Sequence, residues 1–286
     1  MIRKTRPPRA GGAPGKRGAD AAVRAARRGD AGVAEEKLSK IAGLPAVAAV
    51  FRHEAERVVR LYYDDSMKTV AGPFCAELAR LRRPYRLLSP EEMARVAGTV
   101  LHGGIVAAVR PREVPELSLE TAQQWAKAGA GMVLLDGVGN PHNLGAIART
   151  LAFFGLGHLL LSNHPAQAGL SDAAYRVAEG GLEFLDVRRL TGPAQALKKL
   201  RSHFHVVGTA LHARGVSPEA VPLDRRPILL VLGNEENGLP PPTLAACETI
   251  VTLPGCGQVQ SLNVSATAAI LTYSLLLRKP EARGRQ

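Results

Sequence analysis

The sequence predicts an α/β protein of two successive modules, a small one over residues 37–111 and a larger one with a parallel sheet over residues 121–280. Three observations carry that prediction. Short apolar and β-branched runs alternate with helix-length segments from residue 37 almost to the C-terminus, the order that builds α/β layers. Strand-like runs of the second half, such as 228-ILLVL-232, show no polar alternation, as expected of strands covered on both faces of a parallel sheet. The 286 residues suffice for two modest cores, and 111-PREVP-115 punctuates the chain between them like a hinge, opening a linker over 112–120.

The chain opens on a basic arm. Residues 1–36 include RPPRAGGAPGKRG and AAVRAARRGD and hold nothing able to bury a core, so they are expected to be disordered, with a nascent helix near 21–28 that forms on RNA. The formal net charge is +12, and residues 1–40, with 11 Lys/Arg and 4 Asp/Glu, hold +7 of it. A basic arm on a mildly basic body points to a polyanionic partner, nucleic acid before others.

In the first module a short helix over 45–53 precedes a strand at 58–63, a turn at Asp64, Asp65 and Ser66, a helix over 73–81 and a strand at 85–88. Ser89, Pro90 and Glu92 form a capping box, with Ser89 as N-cap and Glu92 at N3. That helix stops at Gly98, and a buried strand at 104–109 follows His102-Gly103-Gly104. Arg80, Arg82, Arg83 and Arg86 either face phosphate or form a solvated helix end. In the second module a helix over 119–127 carries the single tryptophan, Trp125. Strands are expected at 132–135, 158–161, 205–208 and 228–232, and helices at 144–154, 171–178 and 193–201. Finally a strand at 249–253 is broken by Pro254, Gly255 and Gly257, and Asn263 and Ser265 open a helix running to 277.

Several function classes are excluded. Hydrophobic content is 46% without a membrane-length apolar run, and the N-terminus lacks the apolar region of a secretory signal. Cys75, Cys247 and Cys256 fit neither a disulfide framework nor zinc spacing, so reduced thiols in a cytosol are expected. Gly137-x-Gly139 is followed by Asn140-Pro141-His142 rather than by a third glycine opening a helix, and no GxxxxGK[ST] loop exists. His203 and His205 share a strand face, with His212 nearby, but no carboxylate or cysteine cluster accompanies them, so no metal is expected. What remains are three glycine-punctuated segments after strands of the second module: 136-DGVGNPHNLGAIART-150, 233-GNEENG-238 and the stretch 249–270. Ligands bind outside the carboxyl ends of strands in open α/β sheets, so the three converge.

The segments 143-NLGAIART-150, 233-GNEENGL-239 and 261-SLNVSAT-267 resemble, in order and spacing, the three motifs of the SpoU branch of the SPOUT RNA methyltransferases. The likeness covers most of residues 37–278 and is greatest to a bacterial subgroup described as tRNA/rRNA methyltransferases. The first module, including 101-LHGGIVA-107, is similar to that family's L30-type RNA-binding domain. The resemblance implies a trefoil-knotted second domain and a homodimer with residues 264–277 at or near the interface. It implies S-adenosyl-L-methionine held by backbone groups at Gly233, Leu253 and Leu262, with Leu232, Gly238 and Gly255 around them.

The implied reaction is in-line methyl transfer to a ribose 2′-hydroxyl of RNA, rRNA before tRNA, which requires orientation of the hydroxyl and stabilisation of the developing alkoxide. Arg149 matches the family's essential arginine, with Asn143 beside it at the helix start. A guanidinium stays protonated, so alkoxide stabilisation and phosphate clamping suit Arg149 better than a base role. Ser261 and Asn263 are expected to position the ribose, and Glu235 to orient the loop or a polar partner. The residues alone leave alternatives open: Asn143 and Asn263 as helix caps, and Glu235 as the brace of a turn. The segment 176-RVAEGGLEFL-185 departs from the Ser-x-Gly-Ala more common in the family, which puts substrate contacts at Glu179 and Gly180 in question. The rival of another class is a non-catalytic RNA-binding or ribosome-assembly factor on the same fold.

Overall fold

The computed structural model describes residues 38–210, 215–222 and 224–277. The basic arm and His212 lie outside them. The first module is a four-stranded mixed sheet with order β1-β4-β2-β3, formed by β1 (Ser39–Ala42), β2 (Val58–Tyr63), β3 (Tyr85–Leu87) and β4 (Ile105–Val109). β4 is central, antiparallel to both β1 and β2, and all five of its residues are buried. Helices α1 (Leu44–His53), α2 (Lys68–Arg80) and α3 (Pro90–Ala97) cover the sheet. The capping box at Ser89 forms as expected, its hydroxyl accepting from Glu92 N at 3.3 Å and the Glu92 carboxylate from Ser89 N at 3.0 Å.

α2 starts five residues before the expected position and carries Pro73 inside it. The Asp64 carboxylate accepts from Ser66 N at 3.0 Å and starts a helical turn that continues into α2; Pro73, on an exposed face, then forfeits one backbone bond without stopping the helix. β1 was not anticipated, because four residues beside the arm carry too little pattern. Of the four clustered arginines, Arg83 is a structural residue, donating to Ala55 O at 3.0 Å and Val58 O at 2.6 Å, while Arg80, Arg82 and Arg86 stay exposed.

The second module is a six-stranded, wholly parallel sheet with order β10-β8-β9-β5-β6-β7. Its strands are β5 (Met132–Asp136), β6 (His158–Ser162), β7 (Asp186–Leu190), β8 (His205–Thr209), β9 (Ile228–Gly233) and β10 (Thr249–Val251). Neighbours β5 and β9 are buried throughout, which is why they read as unbroken apolar runs. β7 (DVRRL) was missed: it is an edge strand, half exposed and charged, and charge is how edges avoid further pairing. The helices are α4 (Leu119–Lys127), α5 (Pro141–Phe153), α6 (Asp172–Ala178), α7 (Pro193–Leu200), α8 (Pro241–Ala245) and α9 (Val264–Leu271). α9 is shorter than expected and passes into a π-helical segment, Thr272–Leu276. No helix among the described residues is long and apolar enough to cross a membrane.

The stretch expected to be a hinge is fastened. Leu117 N donates to Arg189 O at 2.8 Å and Arg189 N to Pro115 O at 2.9 Å, so the linker pairs with the edge strand. Apolar residues of both modules, Ile41 and Val50 among them with Leu144, Ile147 and Tyr175, form one continuous core. Between the modules lies a buried ionic cluster. Arg57 pairs with Glu54 and donates to the Tyr175 hydroxyl at 3.2 Å, and Arg112 Nε lies 3.3 Å from Glu54 Oε1. Glu183, whose side chain is 1% exposed, lies 3.8 Å from Arg57 Nη1, and neither of its carboxylate oxygens has a hydrogen-bond partner. Burial first, and Glu54 second, push its carboxyl up to about 7 against the pull of Arg57 and Arg112.

Candidate active site

The site is assembled at the carboxyl ends of β5, β9 and β10, where a parallel sheet leaves its loops free to gather. After β5, Gly137 takes φ +88 and the chain turns into α5. Asn140 is the N-cap, its side chain accepting from His142 N at 2.9 Å, with Pro141 at the first helical position. The capping alternative for Asn143 is therefore excluded: Asn143 lies inside the first turn, buried, with its amide directed to other partners.

Those partners come from the other two segments. Asn143 Nδ2 donates to Glu235 Oε1 at 2.6 Å, and Asn263 Nδ2 donates to Asn143 Oδ1 at 3.1 Å. Asn263 also caps α9, its Oδ1 accepting from Ser265 N at 2.8 Å and Ser265 Oγ at 2.6 Å. The cap reading of Asn263 therefore holds, and its amide nitrogen in addition joins the Asn143 network. A carboxylate accepting from a buried amide makes a charge-assisted hydrogen bond, and the chain Asn263–Asn143–Glu235 ties together residues up to 120 positions apart.

The β9 loop is built to hold Glu235 in place. Asn234 and Gly238 exchange both backbone hydrogen bonds at 3.0 Å, and Asn234 Oδ1 accepts from Glu236 N and Asn237 N at 3.0 Å. A Cβ on Gly233 would lie 2.4 Å from Gly238 C and Leu239 N, so glycine is obligatory there. Asn234 Nδ2 reaches Gly137 O at 2.9 Å and joins this loop to the β5 loop. Gln167 clasps the same β5 loop from the other side, accepting from Gly137 N and Val138 N at 3.0 and 3.1 Å and donating to Val138 O at 3.2 Å. Neither Asn234 nor Gln167 was singled out from sequence. An asparagine directly after a strand is a turn signal that could have found the first; an isolated glutamine carries no signal.

Arg149 is placed elsewhere. Six residues beyond Asn143 on α5, it lies about 120° away around the helix axis, and its Nη1 is 2.9 Å from Glu179 Oε1, with side chains 57% and 48% exposed. The departure from the family pattern at Glu179 therefore meets the expected catalytic arginine directly. Ser261 and Leu262 are exposed and stand outside the Asn143 network, and Gly238 and Gly255 are exposed too. Leu232 and Gly233 are buried at the end of β9, and Leu253 is half-buried just beyond β10. No backbone hydrogen bond engages residues 253–262 among the described residues. His203 and His205 serve structural bonds, to Gln123 at 3.3 Å and to Thr249 Oγ1 at 2.9 Å. The three cysteines are free, and burial raises the Cys247 thiol to about 12, which leaves it unreactive.

With this geometry in view, comparison with known proteins is decisive. Residues 131–273, half of the chain, match the model of the SpoU rRNA Methylase family. The chain belongs to the SpoU family. Residues 40–115 match a second model, RNA 2'-O ribose methyltransferase substrate binding, so the small module with its central β4 is the SpoU substrate-binding type. The SpoU relatives include the 23S rRNA (guanosine-2'-O-)-methyltransferase RlmB of Acinetobacter baylyi, 31% identical over 81% of this chain and 94% of that protein. They also include an uncharacterized tRNA/rRNA methyltransferase of Haemophilus influenzae, 30% identical over 81% of this chain and 64% of that protein. Among solved structures, an AdoMet-bound rRNA methyltransferase from Sinorhizobium meliloti shares the fold, with a TM-score of 0.69 at 20% identity over 84% of this chain and 87% of that one.

Proposed function

We propose that this chain is an S-adenosyl-L-methionine-dependent methyltransferase acting on a ribose 2′-hydroxyl of ribosomal RNA. The observation that carries this reading is the hydrogen-bonded chain Asn263–Asn143–Glu235, which draws one residue from each of the three sequence motifs into a single network around the buried Asn143. Family membership supplies the reaction class, and the relatives' names favour rRNA over tRNA.

The loops suit the cofactor. Residues 254–262 are exposed, carry no charged side chain and make no backbone hydrogen bond among the described residues, which fits an adenosine recognised by main-chain donors and acceptors. Leu232, Gly233, Gly238, Leu253, Gly255 and Leu262 are the residues that hold it. S-adenosyl-L-methionine supplies, when bound, a methyl group on a positively charged sulfur. The protein's part is then to place the hydroxyl in line and to stabilise the oxygen as it develops charge. Asn263, with Ser261 beside it, positions the ribose, and Asn143, held by the Glu235 carboxylate, fixes the orientation of Asn263. Arg149 serves phosphate and alkoxide rather than acting as base. Its exposed pairing with Glu179 is a weak hold, which RNA phosphate competes for.

The trefoil knot, a homodimer and a cytoplasmic location belong to the same proposal. Exposed Phe153, Ile270 and Tyr273, with Phe154 and Tyr273 rings 6.0 Å apart, supply an apolar face on α5 and the C-terminal segment for a second copy. The test is mass-spectrometric mapping of ribose methylation in total RNA from a strain lacking the protein, together with methyl transfer by the purified chain. Loss of one rRNA 2′-O-methyl group is expected. An unchanged methylation map together with no transfer in vitro would leave the non-catalytic RNA-binding reading in its place.

A further inference from the structure

A cleft of about 250 Å³ lies beside the Arg149 ion pair, lined by Arg149, Phe153, Glu179, Gly180, Gly181 and Phe184 among others. It is separate from the Asn143 network and has the features of a built surface. Phe184 is 52% exposed, unusual for phenylalanine in a folded chain. Phe184 meets the His53 ring of the substrate-binding module edge-on, with centroids 4.5 Å apart. The turn that carries Phe184 is braced by Arg112, which donates to Leu182 O at 2.7 Å and Leu185 O at 2.6 Å. The floor is rigid: a Cβ on Gly180 would meet Ala49 Cβ at 2.8 Å, and one on Gly181 would meet Arg149 Cα at 2.8 Å. Glu179 itself sits at φ +46, a left-handed conformation that L side chains adopt at a cost and glycine does not. Its Oε1 takes Arg149, and its Oε2 has no hydrogen-bond partner among the described residues.

We propose that this cleft receives an unpaired guanine of the RNA, stacked on the Phe184 ring and read at its Watson–Crick edge by the Glu179 carboxylate. The proposal rests on the RNA-substrate reading above. Aromatic faces bind unstacked bases of single-stranded RNA, whose edges are then open to side chains. A carboxylate offers two acceptors and no donor. Guanine alone among the four bases presents two adjacent donors, N1–H and N2–H, to such a group. Adenine and cytosine set an acceptor beside their donor, and uracil flanks its single donor with acceptors, so each turns a lone pair towards the carboxylate. Occupation by guanine takes Glu179 from Arg149 and frees the guanidinium for phosphate or ribose. Base identity is thereby coupled to release of the arginine.

The experiment is fluorescence anisotropy of the purified full chain with labelled single-stranded pentanucleotides UUGUU, UUIUU (inosine) and UUAUU, at one fixed salt concentration because phosphate contacts are salt-dependent. Inosine lacks only the N2 amino group. The guanine probe is expected to bind about tenfold more tightly than the other two, the scale of one charge-assisted hydrogen bond. Glu179→Gln, similar in volume, is expected to compress the preference to within about twofold, and Phe184→Ala to weaken all three probes together. Glu179→Gly removes the carboxylate on a backbone that suits glycine and repeats the test in a second background. Equal wild-type affinities, or a guanine preference that survives both Glu179 variants, overturn the proposal. So does a Phe184→Ala chain that changes from dimer to monomer in sedimentation with its base preference intact, which assigns the rim to contact between copies. The readout needs no methyl transfer: guanine preference without any transfer keeps the cleft and refutes the enzymatic reading, and transfer without guanine preference does the reverse.

Discussion

Replacing Glu183 by glutamine tests the buried ionic cluster that joins the two modules. Glu183 is enclosed between Arg57, Glu54, Arg112 and Tyr175, with both carboxylate oxygens unpartnered. Burial lifts its carboxyl from an ordinary 4.5 to about 7, which amounts to about 3 kcal/mol between the two protonation states. Because the folded state holds this proton more tightly than the unfolded chain, the stability is fully present below about pH 4.5 and is lost as pH rises through about 7. Of the total, about 2 kcal/mol falls between about pH 5.5 and about pH 8. Glu183→Gln fixes a neutral group of the same shape. Relative to wild type, the variant should therefore gain about 2 kcal/mol on going from the acid to the alkaline condition. Urea unfolding followed by far-UV circular dichroism at the two pH values measures this directly. His158, whose imidazole is lowered chiefly by burial, acts in the opposite direction but is common to both chains and cancels in the difference. Parallel pH dependences, or a variant that loses ground at alkaline pH, would refute the reasoning.

Four further outcomes are expected. Gly233→Ala forces a Cβ into the Gly238 backbone at 2.4 Å and should cost about 1–3 kcal/mol, as overpacking does, together with S-adenosyl-L-methionine affinity; thermal melts and calorimetric titration show both. Asn143→Asp places a carboxylate against Glu235, so methyl transfer should fall about tenfold or more at alkaline pH and recover in part as acid neutralises the pair, whereas Asn143→Ala should be low at every pH; a pH–rate profile separates them. Arg149→Ala should leave the melting temperature almost unchanged, because its ion pair is exposed, while methyl transfer drops about 10²–10³-fold. Deleting residues 1–36 should weaken RNA binding and flatten its dependence on salt; an equal slope in both chains would remove the arm from the account.

Much of the fold is legible from residue pattern because burial on two faces leaves an unmistakable trace. β5, β9 and β4 are buried throughout, apolar but for Asp136 at the end of β5, and each was expected within one residue of its observed bounds. The capping box at Ser89 is equally local, needing only four consecutive residues. β7 escaped because an edge strand keeps charge, and α8 because a five-residue helix starting at paired prolines looks like a loop. The early start of α2 escaped because a proline suggests a helix boundary when an upstream aspartate has already begun the turn.

The sequence by itself determined the class of the protein: two α/β modules, a parallel sheet, and three motifs whose order names the SpoU family. Those features depend on near neighbours along the chain, through periodicity, capping and glycine. Only the tertiary structure decided what the polar residues do. Asn143 became a link between Glu235 and Asn263 rather than a cap, because the cap was already filled by Asn140. Arg149 was turned from that network to Glu179, because six residues on a helix rotate a side chain to another face. Glu183 acquired a raised proton affinity through burial where the two modules pack, with Glu54, 129 residues away in sequence, adding to it. Hydrogen bonds and ion pairs act over a few ångströms of space, and the packing of the two modules chooses which residues come within that range.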